Sequence, residues 1–317
     1  MIDQEEKGMS YSAGFFILIG FTVAALIFAS FLSIPIWEKM TGLPISKLKI
    51  GMTDPANSNA VKVIQSVNTI IGFLLPALIV ASLLNRKPTK LLGFRGNISW
   101  KQVSLVFGIM VIALFVSASL SWLNEKIPIS ESWKTYFIGL EEEYKRILVA
   151  IMNLDSPGDF ILALFIMAFV PAFCEEALFR GGLQNFMVRS TKRTWLSIIT
   201  VSIIFSLAHQ SYYGFLSRFF LGVTLGAIYQ YTGRIWLSIT GHFLNNAIAL
   251  TFIYVSRLNG QTMSDAVDEK TSSYLFIVLL PLVFVLLSWL KNISNGKNDR
   301  NNSPVIPANG LNTTSNH

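Results

Sequence analysis

The chain has 317 residues, 52% of them hydrophobic and 14% charged, with a mean hydropathy of +0.52. Soluble domains carry about 25% charged residues, so this composition excludes an ordinary soluble protein and points to a membrane. A single cysteine, Cys174, excludes an internal disulfide framework and reads as a packing residue. The net charge of +7 is scattered through loops rather than gathered on one face, which excludes a nucleic-acid-binding module.

Crossing a bilayer takes about 20 mostly apolar residues. Eight segments meet that requirement: 12–36, 64–84, 102–123, 159–178, 195–210, 214–232, 235–256 and 273–290. The predicted fold is all-α, a polytopic membrane helix bundle of about eight transmembrane helices in one domain spanning residues 1–291. The first segment does not read as a cleaved signal peptide, because its leader carries Asp3, Glu5 and Glu6 and its apolar run is too long. Residues 37–63 and the charge-mixed "EKIPISESWKTYFIGLEEEYKR" are expected to be loops. Ser211-Tyr212-Tyr213-Gly214 reads as a turn between the fifth and sixth spans. Residues 292–317, rich in Asn, Ser and Pro, read as a disordered C-terminal tail.

Charge placement gives an orientation. Loop 85–101 holds five basic residues and no acid, which the positive-inside rule makes cytoplasmic. Arg189, Lys192, Arg193, Arg234, Lys291, Lys297 and Arg300 then fall on the same side. This predicts a multi-pass protein of the plasma (inner) membrane with both termini cytoplasmic. The four lysines of 37–63 argue mildly the other way.

Ionisable groups in a bilayer are costly and face the bundle interior, where they mark functional sites. The candidates are Glu175, Glu176, Arg180, His209 and His242, with Asn245 and Asn246 as uncharged companions. Glu176 and Arg180 are four apart, so they share a helix face and can pair. Glu175 is rotated about 100° away and is left as the free acid. Pro171 removes a backbone donor one turn before Glu175 and predicts a local opening of the helix. Gly181 and Gly182 permit close approach, and Gly222 with Gly226 forms a small-residue packing pair. Helix counting from the 189–193 turn puts Glu175 and His209 at one depth, with His242 nominally shallower. His242 and Asn246 share a face.

A glutamate, two histidines and an amide suggest activation of water. Glu175 would accept the proton, His209 would orient the water or shuttle the proton, and His242 and Asn246 would donate to an oxyanion. The same residues also suit zinc held by Glu175, His209 and His242, although the compact H-E-x-x-H pattern is absent.

Three motifs in this set resemble a known family. "EEALFR" (175–180) is similar to EExxxR, "FSLAH" (205–209) to FxxxH and "HFLNN" (242–246) to HxxxN of the CAAX protease and bacteriocin-processing family, also called CPBP or Abi. They occur in the family's order over about 159–256, and the upstream "LLGFR" also resembles bacterial members. The resemblance implies an intramembrane endopeptidase acting on a peptide or protein substrate, prenylated in eukaryotic relatives. It implies Glu175 as the water-activating residue, His209, His242 and Asn246 as the rest of the catalytic set, and Glu176 and Arg180 as supports. Family members have been described as zinc enzymes and as metal-free glutamate enzymes. Asn246 suits an oxyanion donor better than a metal ligand, so no cofactor is favoured. Two other readings stay open: a non-catalytic immunity or binding factor of the same fold, and a proton-coupled transporter using the cluster as a relay.

Overall fold

The computed structural model describes residues 5–152, 154, 156–260, 274 and 276–298. Among these the fold is an all-α membrane bundle without strands; one isolated bridge joins Glu6 to Asn85. The principal helices are α1 (Tyr11–Thr41), α2 (Pro55–Leu84), α3 (Trp100–Glu125), α4 (Glu131–Ile151), α5 (Pro157–Thr191), α6 (Thr194–Ala208), α7 (Phe215–Thr232), α8 (Ile235–Leu258) and α9 (Phe276–Asn298).

Five of these, α1, α2, α3, α5 and α9, are long and apolar enough to cross a membrane. Helices α6, α7 and α8 pack in the same bundle, but α6 has only 15 residues and the more polar α7 and α8 are not among the five. The polar residues that shorten the apolar runs of α7 and α8 are partly those of the site described below. Phe16, Phe28 and Phe31 on α1 and Phe284 and Val285 on α9 are exposed, as expected of helices whose outer faces meet lipid rather than water.

Three expectations fail in detail. The segment 131–151, read as a charge-mixed loop, is the amphipathic helix α4. Its apolar residues recur at helical spacing, but three consecutive acids, Glu141 to Glu143, obscure the pattern. Part of 37–63 is also helical, with short turns at Ile45–Lys47 and Leu48–Gly51 and the start of α2 at Pro55. Helix α9 continues through 292–298; the rest of the expected tail lies outside the described residues.

Local sequence sets the helix ends. Ser99 and Gln102 form a capping box at the start of α3, and Ser156 and Asp159 form another at α5, where Pro157 occupies the first turn. Gly233 closes α7 at φ 62°, a conformation glycine adopts without penalty. Buried Asn124 at the end of α3 donates to Tyr212 O and accepts from Leu216 N, which pins the α6–α7 turn.

Two apolar clusters hold the bundle. One gathers Leu18, Leu84, Phe179, Phe186, Phe205 and Ile239; the other gathers Ile109, Met110, Leu225, Leu237 and Leu287. Helices α7 and α8 contribute to both, and the polar residues lie at their junction. Helix α5 is wound as a π-helix over Leu164–Phe169, ahead of Pro171, and again over Ala177–Gln184. Helix α2 shows the same device, with π winding at Ile70–Leu74 ahead of Pro76. A proline cannot donate to the preceding turn, and a wider turn accommodates the loss. The opening expected near Pro171 therefore takes the form of π turns.

Candidate active site

Glu176 is the fixed point of the site. Its side chain is fully buried, and three groups hold it. Arg180 Nε lies 3.3 Å from Oε2, Ser238 Oγ donates a short hydrogen bond to the same oxygen, and His242 Nδ1 lies 3.0 Å from Oε1. The pairing of Glu176 with Arg180 follows from their i, i+4 spacing. A buried ion pair is strengthened when the remaining polar positions are also met. For Arg180 they are met in part: the Gly222 carbonyl accepts from Nη2 at 3.4 Å and the Phe205 ring lies 4.7 Å from the guanidinium, while Nη1 is buried without a hydrogen-bond partner.

The glycine pair on α7 makes this possible. Gln184, one turn beyond Arg180, donates to the carbonyl of Gly226 at 2.9 Å. Arg180 and Gln184 thus face Gly222 and Gly226 rung for rung. A Cβ on Gly222 would stand 2.9 Å from Ser202 Cβ, and one on Gly226 2.7 Å from Gln184 Oε1. The small-residue pair serves as scaffold, as expected, and it also exposes two backbone acceptors to α5. Gly181 and Gly182 are close approaches too, with Leu92 O and Leu18 within 2.8 Å of where a Cβ would sit.

His242 bridges the two acids. With Nδ1 against Glu176, its Nε2 points to Glu175, 3.9 Å from Oε2. Glu175 is 13% exposed, and its Oε2 makes no hydrogen bond. The two adjacent glutamates therefore differ as expected: one is enclosed by partners, the other is open. Helix counting left His242 shallower than Glu175, yet the two side chains meet across α5 and α8.

His209 ends α6. Its Nδ1 lies 2.8 Å from Phe205 O, and its ring meets the Phe205 ring edge-on at 4.7 Å. A carbonyl only accepts, so Nδ1 carries the proton and the outer nitrogen, Nε2, is left for other partners. Glu175, His242 and Arg218 are all within electrostatic reach of this ring. Phe205 also packs on His242 and Phe179; one aromatic ring thus touches both histidines and the arginine.

Asn246 lies on the His242 face of α8. Its Oδ1 accepts from Asn245 Nδ2 at 3.2 Å, so its own Nδ2 remains a donor without a protein partner among the described residues. The structure joins Glu175, Glu176, Arg180 and His242 directly and reaches His209 through Phe205. Among the described residues no hydrogen bond or ion pair links Asn246 to the others, although it lies one turn from His242 on α8.

Three contributors escaped the sequence reading. Ser238 was legible, since it lies four residues before His242 and eight before Asn246 on one face of α8. The carbonyl of Gly222 was not, because an acceptor in the backbone leaves no residue-type signal. Arg218 is an ionisable group inside the 214–232 segment, and its Nη1 is buried without a hydrogen-bond partner.

The donor types of Glu175, His209 and His242 suit zinc. Their arrangement does not gather them: among the described residues no three His, Cys, Asp or Glu side chains converge as ligands. Cys174 is buried and unpaired.

An all-α membrane bundle with two glutamates, an arginine and a histidine buried together defines a class, a polytopic membrane protein with an enclosed polar centre. The family model described as "Type II CAAX prenyl endopeptidase Rce1-like" matches residues 157–248, which contain all six candidate residues. The match covers under a third of the chain, and this segment is similar to that family. The chain is also similar to the uncharacterized protein YpbD of Bacillus subtilis (strain 168), at 37% identity over 84 residues. That alignment covers 24% of this chain and 38% of the relative, so the chain spans well under half of the relative's length. No solved structure matches.

Proposed function

We propose that the protein is a membrane-embedded endopeptidase in which Glu175 activates water against a peptide carbonyl. The observation that carries this reading is the division between the two glutamates: Glu176 is saturated by Arg180, Ser238 and His242, while Glu175 Oε2 is enclosed and unbonded. A carboxylate with a vacant acceptor oxygen beside two imidazoles is placed to take a proton from water.

The chemistry follows from these positions. Glu175 removes a proton as the water oxygen attacks the carbonyl carbon, and the carbonyl π electrons move to oxygen. Asn246 Nδ2 donates to the resulting oxyanion. His242 donates through Nε2 when the ring carries both protons, since Glu176 already receives the Nδ1 hydrogen. His209, with Nδ1 turned to its own helix, orients the water through Nε2 or relays its proton to the departing amine. No residue forms a covalent intermediate. Glu176 and Arg180 act by holding His242.

Zinc would supply a Lewis acid and a bound hydroxide if it were held by Glu175, His209 and His242. The three do not converge, and no step above uses it. The substrate class is a peptide or protein reached from the bilayer, including prenylated chains. The basic residues of loop 85–101, Arg189 and Arg234 support placing this end of the bundle, with both termini, on the cytoplasmic side of the plasma (inner) membrane.

Purified protein in lipid should cleave members of a panel of membrane-tethered and prenylated peptides, with Glu175→Ala and Glu176→Ala run beside wild type, each with and without chelator. Cleavage kept in chelator and lost in Glu175→Ala supports the metal-free glutamate reading. Loss in chelator with recovery in zinc moves the assignment to a metallopeptidase. Cleavage that survives Glu175→Ala overturns the site.

A further inference from the structure

The motif "LLGFR" (91–95) takes no part in the chemistry above, yet it is tightly docked. Three successive carbonyls of this loop are held by separate elements. Leu91 O accepts from Asn185 Nδ2 at 2.7 Å, Leu92 O from Tyr229 Oη at 3.3 Å, and Gly93 O from Ile235 N at 3.0 Å. Gly93 sits at φ +94°, and a Cβ there would meet the Tyr229 ring at 2.7 Å. The loop is thereby fixed across the ends of α5, α7 and α8.

The docked loop walls a small, partly open cleft. Lys90 and Arg95 line it from the loop and Arg189 from α5, with Asn185, Tyr229 and Gln230 between them. No acidic residue lines it. The cations are positioned rather than trailing. Arg95 Nε donates to Lys90 O at 3.4 Å, and Arg189 Nε donates to Asn185 Oδ1 at 3.1 Å while its guanidinium lies 5.1 Å over the Tyr11 ring. Arg234, in the α7–α8 turn, donates to Gly96 O at 3.2 Å and adds a fourth positive charge beside Arg95. Burial and the neighbouring Arg95 hold the Arg234 guanidinium below its ordinary pKa. Among the described residues none of Lys90, Arg95, Arg189 and Arg234 forms an ion pair; the nearby acids are otherwise engaged, Glu5 with Lys87 and Glu6 with the Tyr11 hydroxyl.

Like charges held together in a preformed, acid-free cleft repel one another until an anion enters. Arginine forks beside a lysine match phosphate oxygens. The cleft lies where the 85–101 loop meets the ends of α5, α7 and α8, and basic pockets at the ends of transmembrane helices take phospholipid head groups. We propose that this cleft binds a phosphate group, supplied by the head group of an anionic phospholipid at the membrane surface. It is separate from the candidate active site: Arg234 precedes His242 by eight residues, about 12 Å along a helix. The proposal stands whether or not the protein is a peptidase.

The test uses full-length protein in phosphatidylcholine nanodiscs, with thermal unfolding followed as phosphatidylglycerol replaces part of the phosphatidylcholine, or as inorganic phosphate is added. Native mass spectrometry counts the phosphatidylglycerol retained. Wild type should be stabilised by about 3 °C or more and should retain one phosphatidylglycerol. Lys90→Gln/Arg95→Gln, which alters only the loop side chains, should lose both effects. Lys101→Gln, exposed and outside the cleft, should keep them. A shift with inorganic phosphate alone, absent in the double variant, keeps the phosphate site and replaces the lipid with a soluble phosphate compound. Equal stabilisation and retention in wild type and the double variant, or neither in wild type, overturns the proposal.

Discussion

His242 Nδ1 stands 3.0 Å from Glu176 Oε1, and this contact determines which face of the imidazole the candidate active site can use. With Nδ1 committed, only Nε2 can meet substrate or water, and it points at Glu175. A buried carboxylate that orients a histidine without touching substrate is a recurring catalytic arrangement. Here the orienting acid and the proposed base are neighbours in sequence and diverge only because a helix turns about 100° per residue.

Removing the charge of Glu176 should unfold before it merely inactivates. Glu176→Gln leaves the buried Arg180 without its counter-charge, a change that costs about 3–5 kcal/mol for a buried pair. Thermal unfolding in detergent should show the loss. A Glu176→Gln protein as stable as wild type would mean that Gly222 and the Phe205 ring suffice for Arg180.

Ser238 tests the positioning more gently. Ser238→Ala removes one donor from a fully buried carboxylate, and an unmet hydrogen bond of that kind costs about 1–3 kcal/mol. Glu176 and His242 remain in place, so turnover should fall far less than for Glu175 variants. Unchanged stability would show that the Ser238 hydroxyl is dispensable to Glu176.

The two α7 glycines should respond unequally. Gly222→Ala drives a methyl toward the Cβ and backbone of Ser202, and overpacking of this kind costs about 1–3 kcal/mol. Gly226→Ala meets the amide end of Gln184, which can swing aside. Melting temperatures should rank wild type, Gly226→Ala, Gly222→Ala from high to low. The reverse order would contradict the packing described here.

Asn246 separates chemistry from fold. Asn246→Ala should lower kcat by about 10²–10³, the usual cost of one oxyanion donor, with little change in KM or melting temperature, since its Nδ2 has no described protein partner. A variant with normal kcat would remove Asn246 from the catalytic set.

Much of this site was legible in the sequence, because helix geometry converts spacing into facing. The i, i+4 step paired Glu176 with Arg180 and left Glu175 apart. What spacing could not supply was contact between helices. The sequence gives no sign that His242 bridges both acids, since counting along single helices does not report how α5 and α8 are tilted and packed against each other. It offers no residue to mark Gly222 O, and it placed Phe205 in the FxxxH-like motif without giving its ring the contacts it makes with His209, His242 and Arg180. Helix α4 was missed because the run Glu141–Glu143 masks an otherwise helical pattern. The apolar outer helices were legible from hydropathy alone. The exact number of crossings was not, because α6 is short and α7 and α8 trade apolar length for polar function.

The most direct test of the central claim is single-turnover cleavage by Glu175→Gln, measured against wild type together with its melting temperature. Glutamine keeps the shape and removes the base. The account predicts a rate lower by about 10²–10⁴, the usual contribution of a general base, at an unchanged melting temperature. A rate within a few-fold of wild type would contradict it and take water activation away from Glu175.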